Sequence, residues 1–200
     1  LRWEPNHPDV KRMALLLLPA TLGIAIYQIN VMVSRALASF LPKASITYIY
    51  LSDRLFELPL GVFAVAVATV SLPTLAAMAA KEEWDRYRET IAFAVRLTLF
   101  VCIPAMAGLM VLRVPVVSLL FQHGAFTPEN TVECAAVVLT ALMGIWAVAG
   151  TRNVAQAFYA VKDTKTPVKV AAAAFAVNAI FSVALMEPLG APGLTLANSI

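Results

Sequence analysis

The sequence predicts an all-α, polytopic transmembrane helix bundle. Its composition, the lengths of its apolar runs and the alternation of its basic connections all lead there. Of 200 residues, 60% are hydrophobic and 14% are charged, against about 25% charged in soluble domains. Mean hydropathy is +0.79. In water such a chain would leave large apolar patches exposed; in hydrocarbon the same surface is at home.

A spanning helix needs about 20 predominantly apolar residues. Residues 14–34, 58–80, 134–151 and 170–186 carry no charge, and residues 91–112 carry only Arg96. A further apolar segment begins near Gly193 and ends with the sequence at Ile200. The expected spans are 10–40, 45–80, 89–112, 129–161 and 167–186, with 191–200 as the start of a sixth. Runs this long and unbroken fit helices, since open sheet edges cannot be satisfied in lipid and barrel strands are shorter. Leu1 is not an initiator Met, residues 1–11 are polar and Pro-rich, and the chain stops within an apolar run. A piece of a longer protein, with no signal peptide in this piece, is the expectation. Thr127-Pro128-Glu129 reads as N-cap, first-turn Pro and first-turn acid. Thr166-Pro167 reads as the same start for the fifth span.

The connections alternate in basic charge. Lys11 and Arg12 flank the first span, Lys43 follows it, and Lys81, Arg86 and Arg88 occupy the second connection. Arg113 is the lone basic residue in the third, Lys162, Lys165 and Lys169 fall in the fourth, and 187–192 has none. The positive-inside rule then puts the N-terminus and the 81–89 and 162–169 connections in the cytoplasm. The net charge of +3 follows from these loops. No basic stripe with interleaved aromatics suggests nucleic acid. Cys102 and Cys134 read as buried, reduced thiols, and His7 and His123 are too far apart to suggest a metal site. Interior prolines and glycines (Pro19 with Gly23, Pro59 with Gly61, Pro73, Pro104 with Gly108) read either as ordinary kinks or as joints between rocking bundles.

The informative residues are ionisable groups in or near spans, where charge is expensive and usually faces a cavity or a partner. Asp53, Arg54 and Glu57 lie within one helical turn and are expected on one side of the helix. They read either as a self-neutralising cluster at a helix end or as a polar cavity wall. In the second case Arg54 contacts an anionic headgroup through its fork of donors and the acids position it. Arg152 follows a long apolar stretch and is a second candidate for the cavity. Arg35 and Arg96 read as snorkelling side chains. Asn178 and Ser182, one turn apart, with Ser34 and Asn198, read as interhelical hydrogen-bonding groups or as part of a cation site that lacks a carboxylate. No nucleophile or metal motif supports an enzyme.

Four stretches carry a resemblance. They are YIYLSDRLFELPLGVF at 48–63, continuing through AVATV at 66–70 and Leu72-Pro73; LLFQHGAFT at 119–127; AFYAVKDTKTPV at 157–168; and GLTLA at 193–197. In order and spacing they are similar to the MurJ/MviN lipid II flippases, within the multidrug/oligosaccharidyl-lipid/polysaccharide exporter superfamily. The resemblance implies a fourteen-helix bacterial inner-membrane transporter. This chain would cover about its seventh to twelfth helices, with residues 1–8 as the end of a cytoplasmic linker.

It also implies alternating-access translocation of lipid II, an undecaprenyl-pyrophosphate-linked disaccharide-pentapeptide, from inner to outer leaflet for peptidoglycan synthesis and cell shape. The implied substrate-binding residues are Asp53, Arg54, Glu57 and Arg152. Partners would be lipid II, membrane lipids and cell-wall synthesis proteins. No cofactor is implied beyond coupling to membrane potential or a monovalent cation. Some members carry cation-binding acids at the positions of Ser34 and Ser182, a departure that puts such a site in doubt here. The rival readings are an exporter of another lipid-linked oligosaccharide or of cationic drugs, and a membrane scaffold of the cell-wall machinery.

Overall fold

The computed structural model describes residue 21, residues 25–42 and residues 44–199. The expectations for the linker, Lys11, Arg12, Pro19, Gly23 and Lys43, and for most of the first span, fall outside the described residues. Every regular element among the described residues is helical. In chain order they are α1 (25–38), α2 (Ser45–Pro59), α3 (Val65–Ala80), α4 (Trp84–Val111), α5 (Arg113–Phe121), α6 (Pro128–Leu142), α7 (Ile145–Ala160), α8 (Lys165–Leu189) and α9 (Ala191–Ala197). Three stretches are long and apolar enough to cross a membrane unaided: Trp84–Val111, Pro128–Ala160 and Lys165–Leu189. The bent pair Ser45–Val62 and Val65–Ala80 forms a fourth.

That fourth span is not a straight rod. A π-helical turn at Leu60–Ala64 joins α2 to α3, and the two arms meet at 41°. Pro59 lacks the N–H that would continue the ladder, and kinks form where the ladder is interrupted. Pro104, by contrast, sits inside α4 without ending it.

Two further features are not marked by the apolar runs. The third connection holds a helix, α5: its short apolar run folds back, and the Arg113 Nη1 donates to the Met110 carbonyl at 2.7 Å, satisfying an orphan acceptor at the end of α4. The span expected at 129–161 runs from Pro128 to Ala160 and contains an irregular turn at Met143–Gly144 between α6 and α7. There Gly144 approaches Ser199 so closely that a Cβ would lie 2.8 Å from the Ser199 Cα.

The start of α6 is as expected: Thr127 Oγ1 accepts from the Asn130 N–H at 3.3 Å, and Pro128 occupies the first turn. The start of α8 is not at Thr166. Asp163 takes the capping role, its Oδ1 accepting from the N–H groups of Lys165 (3.1 Å) and Thr166 (3.0 Å), while Thr166 donates its hydroxyl to Oδ2 at 2.6 Å. Those bonds hold the Asp163 carboxyl below the usual carboxylate range, the Thr166 side chain first. A carboxylate accepts more strongly than a hydroxyl, which is why the cap moved upstream.

The α3–α4 and α7–α8 loops close alike. Glu82 (φ 58°) and Lys162 (φ 62°) adopt the left-handed conformation. Glu83 N–H donates to Met78 O at 3.1 Å and Asp163 N–H to Phe158 O at 2.9 Å, the long bond of the Schellman ending.

Packing pairs α2 with α6, α4 with α7, α3 with α4 and α7, and α8 with α9. Two apolar cores result. The larger joins Leu55, Cys102, Val138, Ile145 and Leu194; the smaller joins Leu75, Tyr87, Ala157 and Ala160. Phe93, Phe100 and Ile180 point outward and are exposed, as suits a surface meeting lipid rather than water. Cys102 and Cys134 are free and buried.

Candidate functional site

A cavity of about 240 Å³ opens between α1, α2, α6, α7 and α9. Arg35, Asp53, Glu57 and Arg152 bring charge to its wall, and Asn30, Ser34 and Asn198 bring neutral polarity. A second void of about 320 Å³ adjoins it and shares Arg35, Ile49 and Asp53. Asp53 and Glu57 reach the first cavity because they are one helical turn apart on α2, the relation that stacks side chains on one face.

Arg54 stands at the edge of this charged face. It lines neither void and is exposed, with its Nη1 3.2 Å from Glu57 Oε2 and its Nη2 donating to Tyr50 Oη at 2.9 Å. All three charges lie within about 100° of arc on α2, and Arg54 contacts Glu57, but only Asp53 and Glu57 line the cavity. A step of one residue turns about 100°, so Arg54 braces Glu57 from outside while Asp53 and Glu57 face in. Arg35, read from sequence as a snorkelling side chain, instead lines both voids with Asp53. Its place next to the cavity-facing Ser34 near the end of a span was no signal, because snorkelling arginines occupy the same position. Arg152 lines the cavity from α7. Among the described residues neither Arg35 nor Arg152 has a carboxylate within 4 Å, so both guanidinium groups keep their donors for something else.

Beside this wall runs a neutral polar thread. Ser182 Oγ donates to Asn178 Oδ1 at 3.4 Å, Asn178 Nδ2 donates to Asn198 Oδ1 at 2.9 Å, and Ser34 Oγ donates to the same Asn198 oxygen at 3.4 Å. Ser182 is the single buried residue of α8, and the thread draws it inward. Thr140 and Thr195 add a hydroxyl pair at 2.6 Å between α6 and α9. All four residues singled out from sequence therefore meet, across α1, α8 and α9. No cluster of three or more His, Cys, Asp or Glu side chains suited to a metal occurs among the described residues.

Sequence missed two groups. Asn30 Oδ1 lies buried beside the cavity without a hydrogen-bond partner. Asn153, next to Arg152, is buried at the α4–α7 contact. Neither carries a charge to betray it.

Long apolar helices, a polar thread between them and a cavity wall carrying two arginines and two carboxylates define a multi-pass α-helical membrane protein with a polar interior site. Comparison with known proteins makes this particular. The model of the family described as lipid II flippase MurJ matches residues 1–200, and the chain belongs to that family. It is 35% identical over its whole length to a probable lipid II flippase MurJ of Vibrio cholerae, covering 38% of that protein. It is 34% identical to the Thermotoga maritima relative, again over the whole chain, covering 41%. A solved structure, lipid II flippase MurJ in an inward closed conformation, superposes with a TM-score of 0.83 at 28% identity, over 96% of this chain and 41% of that one. The chain thus spans about two fifths of the length of these relatives.

Proposed function

We propose that this chain supplies one wall of the translocation cavity of a lipid II flippase in the bacterial cytoplasmic membrane. The observation that carries the reading is the pair Arg35 and Arg152 on a polar cavity between spans, neither of them, among the described residues, in a direct ion pair with the Asp53 and Glu57 of the same wall. A guanidinium facing a cavity is matched to a phosphate, which its planar fork can grip with two bonds. Asp53 and Glu57 on the same wall keep the empty cavity from carrying a bare positive field. They would also repel a misplaced pyrophosphate and accept hydrogen bonds from sugar hydroxyls and peptide N–H groups. Arg54 restrains Glu57 and remains a candidate headgroup contact.

In this reading the headgroup crosses through the charged interior while the prenyl chain stays in lipid. The 81–89 and 162–169 connections face the cytoplasm by their basic charge. Coupling to membrane potential or to a monovalent cation belongs to the same proposal. A cation at the Ser34–Asn178–Ser182–Asn198 thread would meet neutral oxygens alone. The test is to express the full-length protein in cells depleted of their own flippase and measure lipid II exposed on the outer face. Exposure restored by the parent and lost in Arg152→Ala supports the reading. Normal insertion of the parent without restored exposure rejects lipid II as the cargo.

A further inference from the structure

The buried stripe of α7 is Ile145, Ala149, Asn153, Ala157 and Ala160. Four of its five members are apolar and three of those are alanines. Two belong to the larger core and two to the smaller one; Asn153 sits between the cores and belongs to neither. It is 3% exposed, and its partner Thr98 on α4 is 1% exposed. Asn153 Nδ2 donates to Thr98 Oγ1 and to the Ala149 carbonyl, both at 3.0 Å. Its Oδ1 is buried without a partner.

A residue present only to fill this seam would be apolar. Burying an amide with one acceptor unsatisfied is unfavourable relative to an alanine or leucine there. What the amide supplies is direction. Alanine faces let two helices approach closely but offer no directional side-chain contact to fix the rotation of one on the other. A single buried asparagine is known to fix helix register where apolar packing alone leaves it open. α7 is joined to α6 through an irregular turn at Met143–Gly144 rather than by uninterrupted regular helix. One further bond, from Tyr87 Oη to the Ala157 carbonyl, lies one turn beyond Asn153 toward the C-terminus of α7. It grips a backbone atom near the end of the helix and restrains the azimuth of residue 152 less directly.

Arg152 is the neighbour of Asn153 in sequence. With Asn153 held against α4, the step of about 100° per residue places Arg152 in the cavity, together with Val148 one turn earlier. We propose that Asn153, through Thr98, is the positioning residue that sets the azimuth of α7 and so presents Arg152 to the cavity. The proposal rests on the reading of Arg152 as a headgroup contact for its purpose, though not for its geometry.

The test therefore reads geometry first. In full-length protein carrying Arg152→Cys as its single reactive cysteine, the rate of modification by a membrane-impermeant cationic thiol reagent is measured with the native residues at 98 and 153, then with Thr98→Val, Asn153→Leu and both. The expected result is at least a fivefold change in rate for each single variant, no further change in the double variant, and an unchanged rate at a control reporter, Val132→Cys on the exposed face of α6. Equal rates in all four backgrounds would overturn the proposal. So would parallel changes at residues 132 and 152, which would mean general loosening. Thr98→Val is nearly isosteric and keeps the test decisive if Asn153→Leu does not fold. Because labelling needs no lipid II, a shifted rate with no dependence of lipid II exposure on Arg152 would sink the proposed function and leave the positioning role standing.

Discussion

Gly193→Ala is the substitution whose outcome the structure specifies most closely. Gly193 lies buried in α9 where this short helix folds back against the end of α8. A methyl group there would sit 2.7 Å from the Leu185 carbonyl carbon and nearer still to its oxygen, with Leu189 Cβ at 3.0 Å. Carbon atoms pack favourably at about 3.5–4.0 Å, so α9 must withdraw from α8 by about 1 Å. The obstacle is backbone, which cannot rotate away as a side chain would. Overpacking of this kind costs about 1–3 kcal/mol. The same displacement stretches the bond from Asn178 to Asn198, now 2.9 Å, and disconnects the polar thread. The assay is thermal unfolding of the purified full-length protein in detergent, with Gly108→Ala as control, since nothing lies within 4 Å of a Cβ at Gly108. Gly193→Ala should melt clearly lower. Gly108→Ala should be neutral or more stable, because alanine is the better helix former by about 1 kcal/mol. A Gly193→Ala protein that melts with the parent, or equal losses at both positions, refutes the close-approach argument.

Other consequences are open to measurement. Cys102 and Cys134 should resist maleimide in the folded protein and react fully once it is denatured; labelling of either in the native state would contradict its burial. Asp163→Ala should speed amide exchange at Lys165 and Thr166, which its carboxylate now accepts from. That carboxyl is held low in the folded state, so its stabilisation is complete above the unfolded value of about 3.9. It is lost as pH falls through the lower folded value, and the difference between parent and variant should close only in acid. Tyr48→Phe removes the bond from Tyr48 Oη to Asn130 Oδ1 at 2.8 Å. It should cost about 0.6 kcal/mol, the usual worth of an interhelical bond in a membrane protein, read as a small drop in melting temperature. Arg152→Ala should reduce lipid II exposure more than Arg54→Ala, because Arg152 lines the cavity and Arg54 does not; the reverse order would make the outer face of α2 the headgroup contact.

Legibility differed by kind of residue. The apolar runs at 91–112, 134–151 and 170–186 could be read directly as helices, because lipid imposes length and composition on any span. Thr127-Pro128 announced the start of α6 for a local reason, since a cap is built from neighbours in sequence. Asp163 does the same for α8 through its carboxylate, although the more familiar Thr-Pro pattern at Thr166-Pro167 points to a start further along the chain. The charges on α2 could be picked out by their cost, but not sorted. Which of Asp53, Arg54 and Glu57 faces inward depends on how α2 rotates against α6 and α9, and that rotation is settled by packing along its whole length.

Membrane insertion, the helical class and the family are properties of composition and local order, and they stand in the sequence because bilayer thickness and backbone hydrogen bonding act on every span alike. The cavity does not. Arg35 and Asp53 stand on different helices, and Ser34 and Asn198 lie at opposite ends of the chain; they meet because of the angles at which the helices carrying them pack. Those angles come from contacts among residues far apart in sequence, and no local pattern records them.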